Sequence, residues 1–265
     1  METGLSGFCV AVTGASGGIG ESLVDAFASE GCSLGLHART RVSELASLVA
    51  RKGLAGRTLC QAADLRSEGE MERAFEAWVE RFGRVDVCVA NAGIWPADPE
   101  PLQRISPARV REVIDVNLLG ALWTSRAFLR ALERSGPRPD GRGASLILIG
   151  STAGRFGEAG HVEYAASKAA LRGVVRTLKN EIVQLDPAAR VNLVEPGWTR
   201  TAMAEAALAD RAAVERVLAT RPLRELAEPH DVARVCVALA SPAISRHVSG
   251  EIVTVAGGME GRLLW

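Results

Sequence analysis

Short apolar runs recur along the chain at even intervals. They are FCVAVT (8–13), CSLGLH (32–37), TLCQAA (58–63), VDVCVA (85–90), ASLILI (144–149), RVNLV (190–194) and EIVTV (251–255). Most lack the alternation of a half-exposed strand, so they predict strands covered on both faces, as in a parallel sheet. The intervening segments 20–30, 42–52, 68–82, 107–133, 163–185 and 229–240 carry apolar residues at helical spacing. Strand and helix alternating throughout predict an α/β fold, a doubly wound sheet of about seven parallel strands with helices on both faces.

No stretch reads as a linker. The Gly- and Pro-rich SGPRPDGRG (135–143) lies between a long helical pattern and the next strand, so it predicts a surface loop. We therefore expect residues 1–265 to form one domain, a length at which a sizeable core is routine. Lys plus Arg and Asp plus Glu both total 31, a balance that leaves no electrostatic footprint for nucleic acid or an anionic membrane. No run approaches the roughly 18 apolar residues of a spanning helix. The start, METGLSGFCVAV, lacks the basic region and long apolar stretch of a secretory signal. The five cysteines are scattered singly and show no metal-ligand spacing. Together these features predict a cytoplasmic protein with reduced thiols and no metal.

Chemistry enters at the end of the first run. Thr13-Gly14-Ala15-Ser16-Gly17-Gly18-Ile19-Gly20 joins a strand to a helix start. Glycines there let the backbone approach a pyrophosphate, and the free N–H groups of the helix face the anion. A tight turn with no ligand has the same spelling. About 20 residues on, where a dinucleotide site for NAD carries Asp or Glu, the chain has Ala38 and Arg39. A guanidinium suits a 2′-phosphate, so Arg39 points to NADP(H) over NAD(H), with Arg41 either assisting or facing solvent. Asp64, beside Leu65 after the third run, fits either an acceptor for the adenine amino group or a helix N-cap.

Tyr164 is the only tyrosine, and Lys168, one of three lysines, follows it by four residues in a helical segment. That spacing puts both side chains on one face, a turn apart. A free phenol has a pKa of about 10. A neighbouring ammonium favours the phenolate, so we expect the Tyr164 value to be lowered into a useful range for acid–base work. Ser151 ends the fifth run, at the strand edge where open α/β sheets hold ligands.

Taken together, Thr13-Gly14-x-x-x-Gly18-Ile19-Gly20, Asn91-Ala92-Gly93, Asn117, Ser151, Tyr164-x-x-x-Lys168 and Pro196-Gly197-x-x-x-Thr201 resemble the short-chain dehydrogenase/reductase family over nearly the whole chain. The resemblance implies a Rossmann-like fold, a nicotinamide cofactor and hydride exchange with a ketone or secondary alcohol. It implies an active site of Asn117, Ser151, Tyr164 and Lys168, with Ser151 polarising the substrate oxygen. Lys168 is then expected to hold the nicotinamide ribose, and Asn117 a water that relays protons. Asn91, Ala92 and Gly93 are implied at the cofactor ribose, and Pro196, Gly197, Thr199 and Thr201 at the carboxamide. Two departures stand out. NADP(H)-using relatives often carry a basic residue where this chain has Gly17, which leaves phosphate recognition mainly to Arg39. Ala256 stands where an aspartate is common.

By the same analogy the substrate lies among Trp95, Arg155, Phe156, His161, Trp198 and Met203, a largely apolar set that suits an apolar, aromatic or polyketide-like carbonyl. The alanine-rich 201–219 has helical spacing and is expected to close as a lid. The family implies a homo-oligomer, a tetramer or dimer, and the apolar tail 261–265 is expected at its interface. A non-catalytic NADP(H)-binding sensor, or an epimerase or isomerase of the same family, are the competing functions.

Overall fold

A computed structural model describes residues 2–264. Seven parallel strands form one sheet in the order β3-β2-β1-β4-β5-β6-β7. They are β1 (Cys9–Val12), β2 (Ser33–Ala38), β3 (Thr58–Ala62), β4 (Val87–Ala90), β5 (Ser145–Ile149), β6 (Arg190–Pro196) and β7 (Ile252–Val255). Each lies within about two residues of the apolar run that predicts it, as the doubly wound reading requires.

Alternate side chains of each strand enter different cores. Val10 and Val12 of β1 join Leu34, Leu36, Val87 and Val89 beneath α1 (Gly18–Ser29), α2 (Val42–Arg51) and a late helix at Pro229–Ala240. Cys9 and Ala11 face the other way, with Cys88, Leu146 and Leu148. That side is covered by α3 (Glu68–Phe82) and by two helices at Gly120–Ser135 and Val162–Glu181. Burying both faces explains why the strands read as continuous apolar runs.

Local chemistry sets the helix ends. The hydroxyl of Ser67 accepts from the Glu70 N–H to cap α3, and Gly83 closes it at φ 81°. Ser67, not Asp64, is therefore the cap in this stretch. Ser106 caps α4 (Pro107–Ile114), with Pro107 in its first turn. The predicted helix 107–133 continues from α4 through a π-helical turn (Asp115–Leu119) into α5 (Gly120–Ser135). After β5 come α6 (Ala153–Phe156) and α7 (Val162–Glu181). The predicted helix at 201–219 is instead broken. A 3-10 turn (Ala202–Ala204) leads into α8 (Glu205–Ala209), and Asp210, at ψ 96°, caps a separate α9 (Arg211–Leu218). The late helix is α10 (Pro229–Ala240). None of the helices is long and apolar enough to cross a membrane, among the described residues.

The tail packs on its own chain as far as it is described. Gly261 lies against the Phe156 ring, Leu264 is buried with its N–H on the Ala219 carbonyl, and Leu263 is exposed. Trp265, the end of the segment expected at a subunit interface, lies outside the described residues.

Arg221 is the oddest core side chain. It is fully buried; Nη1 donates to the Glu225 carbonyl at 3.0 Å, while Nε and Nη2 have no hydrogen-bond partner among the described residues. Burial pushes its guanidinium pKa down. Nη2 lies 3.4 Å from the point a Cβ on Gly197 would occupy, a point 2.8 Å from the methyl of Ala256. Where relatives commonly carry aspartate, this chain thus supplies no counter-charge. Replacing an unpaired buried cation with an apolar group of similar volume removes a desolvation cost. Arg221→Met is therefore expected to stabilise the fold by about 1–4 kcal/mol. Urea denaturation checks this, and a lower midpoint at unchanged slope counts against it.

Candidate active site

The strand order reverses between β1 and β4, and the crevice beyond their carboxyl ends is where such sheets take ligands. There Gly14 turns the chain at φ 65°, and a Cβ on it would stand 2.9 Å from Ala92 Cα. A Cβ on Gly20 would meet the Gly14 carbonyl oxygen at 2.1 Å, so the first turn of α1 can press against the loop only with glycine at that place. No side chain caps α1, which leaves its leading N–H groups open to an anion. The Thr13 hydroxyl lies 3.0 and 3.1 Å from the N–H groups of Asn91 and Ala92, locking the two crevice walls together.

His37 is a fastening that the sequence reading did not single out. Buried at the end of β2, its Nδ1 accepts from the Gly14 N–H at 3.2 Å and its Nε2 donates to the Ala63 carbonyl at 2.8 Å. Burial lowers its pKa, which suits the neutral ring these bonds require. Only the register of β2 beside β1 brings it to the loop, so no local motif announces it.

A cavity of about 580 Å³ opens from the glycine loop and runs to Tyr164. Its walls include every residue assigned above to the cofactor, from Gly14 through Arg39, Leu65, Gly93 and Lys168 to Thr201. Ser151, Trp95, Trp198 and Met203 also line it. Phe156 and His161 do not: Phe156 turns to the Gly261 tail, and His161 is buried behind Trp95. Arg155 also points elsewhere, to the Thr254 hydroxyl at 3.2 Å.

At the outer end Arg39 is exposed on the rim. Arg41 folds back over the loop, and its Nη2 donates to the Ser16 carbonyl. Asp64 is occupied: Arg66 binds both its carboxylate oxygens, and with a smaller contribution from Arg39 holds its pKa down at about 2. An adenine amino group has to compete with that guanidinium.

At the inner end the Tyr164 phenol hydrogen-bonds to Ser151, whose Oγ also accepts from the Ala153 N–H at 3.1 Å. Lys168 is buried, its Nζ donating to the Ile149 carbonyl at 2.9 Å and lying 5.9 Å from the Tyr164 ring centre. Asn117 sits in the π-helical turn, a feature frequent at functional sites. Its amide donates to the Ile94 carbonyl (2.9 Å) and Ser167 Oγ (3.2 Å) and accepts from the Ile94 N–H (2.8 Å). Asn117 thereby ties the segment after β4 to α7. Asn117 Oδ1 and Lys168 Nζ border the same space beside Gly93, 3.0 and 3.2 Å from where a Cβ there would be.

The protonation pattern differs from the one the Tyr-Lys spacing predicts. Burial pushes the Tyr164 phenol up to about 12; the Ser151 hydrogen bond opposes this and the Glu158 charge adds to it. Burial also brings the Lys168 ammonium down to about 8. Desolvation opposes charge on both groups, Lys168 being buried and Tyr164 half-buried in the cavity wall, and the Nζ charge is directed at a backbone carbonyl.

The glycine cradle and the depth of the cavity fit a nicotinamide dinucleotide, and relatives agree. The family described as Enoyl-(Acyl carrier protein) reductase matches residues 14–260. The chain is 31% identical to the 3-oxoacyl-(acyl-carrier-protein) reductase FabG of Thermotoga maritima, covering 96% of this chain and 98% of that protein. It is 32% identical to the granaticin polyketide synthase putative ketoacyl reductase 2 of Streptomyces violaceoruber, covering 93% and 94%. A short-chain dehydrogenase/reductase of Brucella melitensis, titled glucose/ribitol dehydrogenase, superposes with TM-score 0.86 at 30% identity, over 98% of this chain and 99% of that one. The 3-ketoacyl-(acyl-carrier-protein) reductase of the same organism, complexed with NADH, gives 0.84 at 25% identity, over 96% and 98%. With the family matched over nearly its full length and full-length relatives above 30% identity, the chain belongs to the short-chain dehydrogenase/reductase family.

Proposed function

We propose that this oxidoreductase reduces a ketone to a secondary alcohol with NADPH, Tyr164 being the proton donor. The observation that carries the reading is geometric: Ser151, Tyr164 and Lys168 line the inner end of one cavity that begins at a glycine cradle. A bound nicotinamide dinucleotide supplies the hydride. The substrate oxygen accepts hydrogen bonds from Ser151 and Tyr164, which polarise the carbonyl. As negative charge grows on that oxygen, Tyr164 transfers its proton, and the Lys168 ammonium stabilises the phenolate left behind. Asn117 keeps the Ile94 segment and α7 at a fixed spacing and offers its free acceptor lone pair to a relay water beside Lys168. Burial raises the Tyr164 phenol, which favours the protonated form that donates in reduction. Asn91, Ala92, Gly93, Lys168, Pro196, Gly197, Thr199 and Thr201 would hold the inner half of the cofactor.

A 2′-phosphate at the outer end would meet Arg39, with Arg41 close by on the loop, and no acidic residue at position 38 or 39 repels it. Arg39→Ala is expected to raise KM for NADPH about tenfold and to change that for NADH less than about twofold. Equal effects on both cofactors would remove the preference for NADP(H). The reading as a whole is tested by following NADPH absorbance against a panel of ketones, dicarbonyls, quinones and 3-oxoacyl thioesters. Stoichiometric loss is expected with at least one ketone, whereas tight NADPH binding without turnover would make the protein a sensor.

A further inference from the structure

Resting on the ketoreductase reading above, we infer that Glu158, framed by Trp95 and Trp198, selects a carbonyl substrate that carries a cationic amino group. Glu158 lies between β5 and α7 and lines the inner end of the cavity, as do both indoles. Its Oε2 accepts from Trp95 Nε1 at 3.2 Å, and Trp198 lines the same part of the cavity. An indole N–H is a pure donor, which suits a carboxylate acceptor.

No arginine or lysine answers the charge among the described residues. The buried carboxylates Asp86, Glu163 and Glu195 each hold an arginine. Among the described residues Glu158 has no such ion pair, and its nearest cationisable neighbour is the imidazole of His161. One nitrogen of that ring is committed, while Nδ1 is buried without a hydrogen-bond partner among the described residues. The ring stacks on Trp95 at 4.8 Å and 20°, and its Nε2 donates to the Pro96 carbonyl at 3.0 Å. The stack fixes the Trp95 plane beside the carboxylate. Burial accordingly pushes the Glu158 carboxyl up, the cost of a charge short of a partner. A carboxylate between two indoles is the chemistry that binds an ammonium, alkylated or not, through charge and ring quadrupole together. A cation there also offsets the Glu158 field that opposes charge on Tyr164. A neutral apolar ketone does neither.

The test compares γ-dimethylaminobutyrophenone, cationic at neutral pH, with its neutral isostere bearing CH in place of the protonated nitrogen. With saturating NADPH, wild type is expected to favour the cation by at least about tenfold in kcat/KM. In Glu158→Gln, which keeps the side-chain shape and an acceptor for the Trp95 indole, that ratio is expected to fall about tenfold. A neutral ketone used equally well or better by wild type overturns the inference, as does a ratio that Glu158→Gln does not move. Either result leaves ketone reduction itself intact. If no ketone turns over, the proposed reaction fails and a binding measurement decides this point alone. Phenyltrimethylammonium should quench indole fluorescence saturably in the NADPH-bound wild type and not in Glu158→Gln. Identical or unsaturable quenching in the two proteins overturns it.

Discussion

Tyr164→Phe is expected to lower kcat for ketone reduction by about 10²- to 10⁴-fold, the range that a positioned general acid contributes. Phenylalanine keeps the ring between Ser151 and Lys168 and deletes only the oxygen that bonds Ser151. The loss therefore falls on the proton transfer and not on the shape of the cavity. NADPH binding, followed by quenching of the indoles, should persist. Turnover within about threefold of wild type would exclude the phenol as the acid. The protein offers an unusually direct second readout. Tyr164 is its only tyrosine, so tyrosinate absorbance after an alkaline pH jump reports this one group. Without cofactor the phenolate should form at about pH 12. A midpoint well below 10 would mean that the ammonium, and not burial, governs the site, reversing the account given for the direction of catalysis.

That question also marks where the sequence stops being informative. Periodicity located the strands and most helices, because burial on both sheet faces and on one face of each helix repeats over short stretches. The glycine turn between β1 and α1 was legible for the same reason, since Gly14 to Gly20 are contiguous. The four-residue Tyr-Lys spacing placed the two side chains on one face of α7, yet gave the wrong direction for the phenol. Spacing encodes the neighbour's charge, whereas desolvation depends on packing that only the folded chain supplies. Glu158 was invisible on similar grounds: the indole it bonds lies 63 residues before it, and Trp198 in the segment after β6. Phe156 lies off the cavity wall, against Gly261, a contact that nothing local in the sequence indicates. The π-helical turn at Asn117 is set by the Ile94 and Ser167 bonds of its side chain, which a helical pattern across 107–133 does not reveal.

Lys168→Met should lower kcat about 10²-fold at pH 7 and, more tellingly, alter its pH dependence. The Lys168 amine titrates at about 8 instead of its ordinary 10.5 because burial opposes the charge. Below pH 8 it is an ammonium and stabilises the Tyr164 phenolate formed on proton transfer; above pH 8 that stabilisation is lost. Wild-type kcat for reduction is thus expected to be flat near neutrality and to fall with unit slope above about 8, while Tyr164 itself stays protonated. Lys168→Met should be low and flat across the same range. Stability moves the opposite way. Between pH 8 and 10.5 the unfolded chain still binds the lysine proton and the folded chain has released it, so this group favours the fold increasingly as pH rises. The buried thiols of Cys9, Cys32, Cys88 and Cys236 carry the reverse sign above pH 9, since burial raises their pKa values. Their contribution cancels when wild type is compared with Lys168→Met at each pH. In that comparison, wild-type stability should gain on the variant from pH 8 to 10 while its activity declines. A solvent-exposed lysine acting as a simple surface charge would leave both profiles parallel to those of the variant, and that outcome would remove Lys168 from the proton-transfer site.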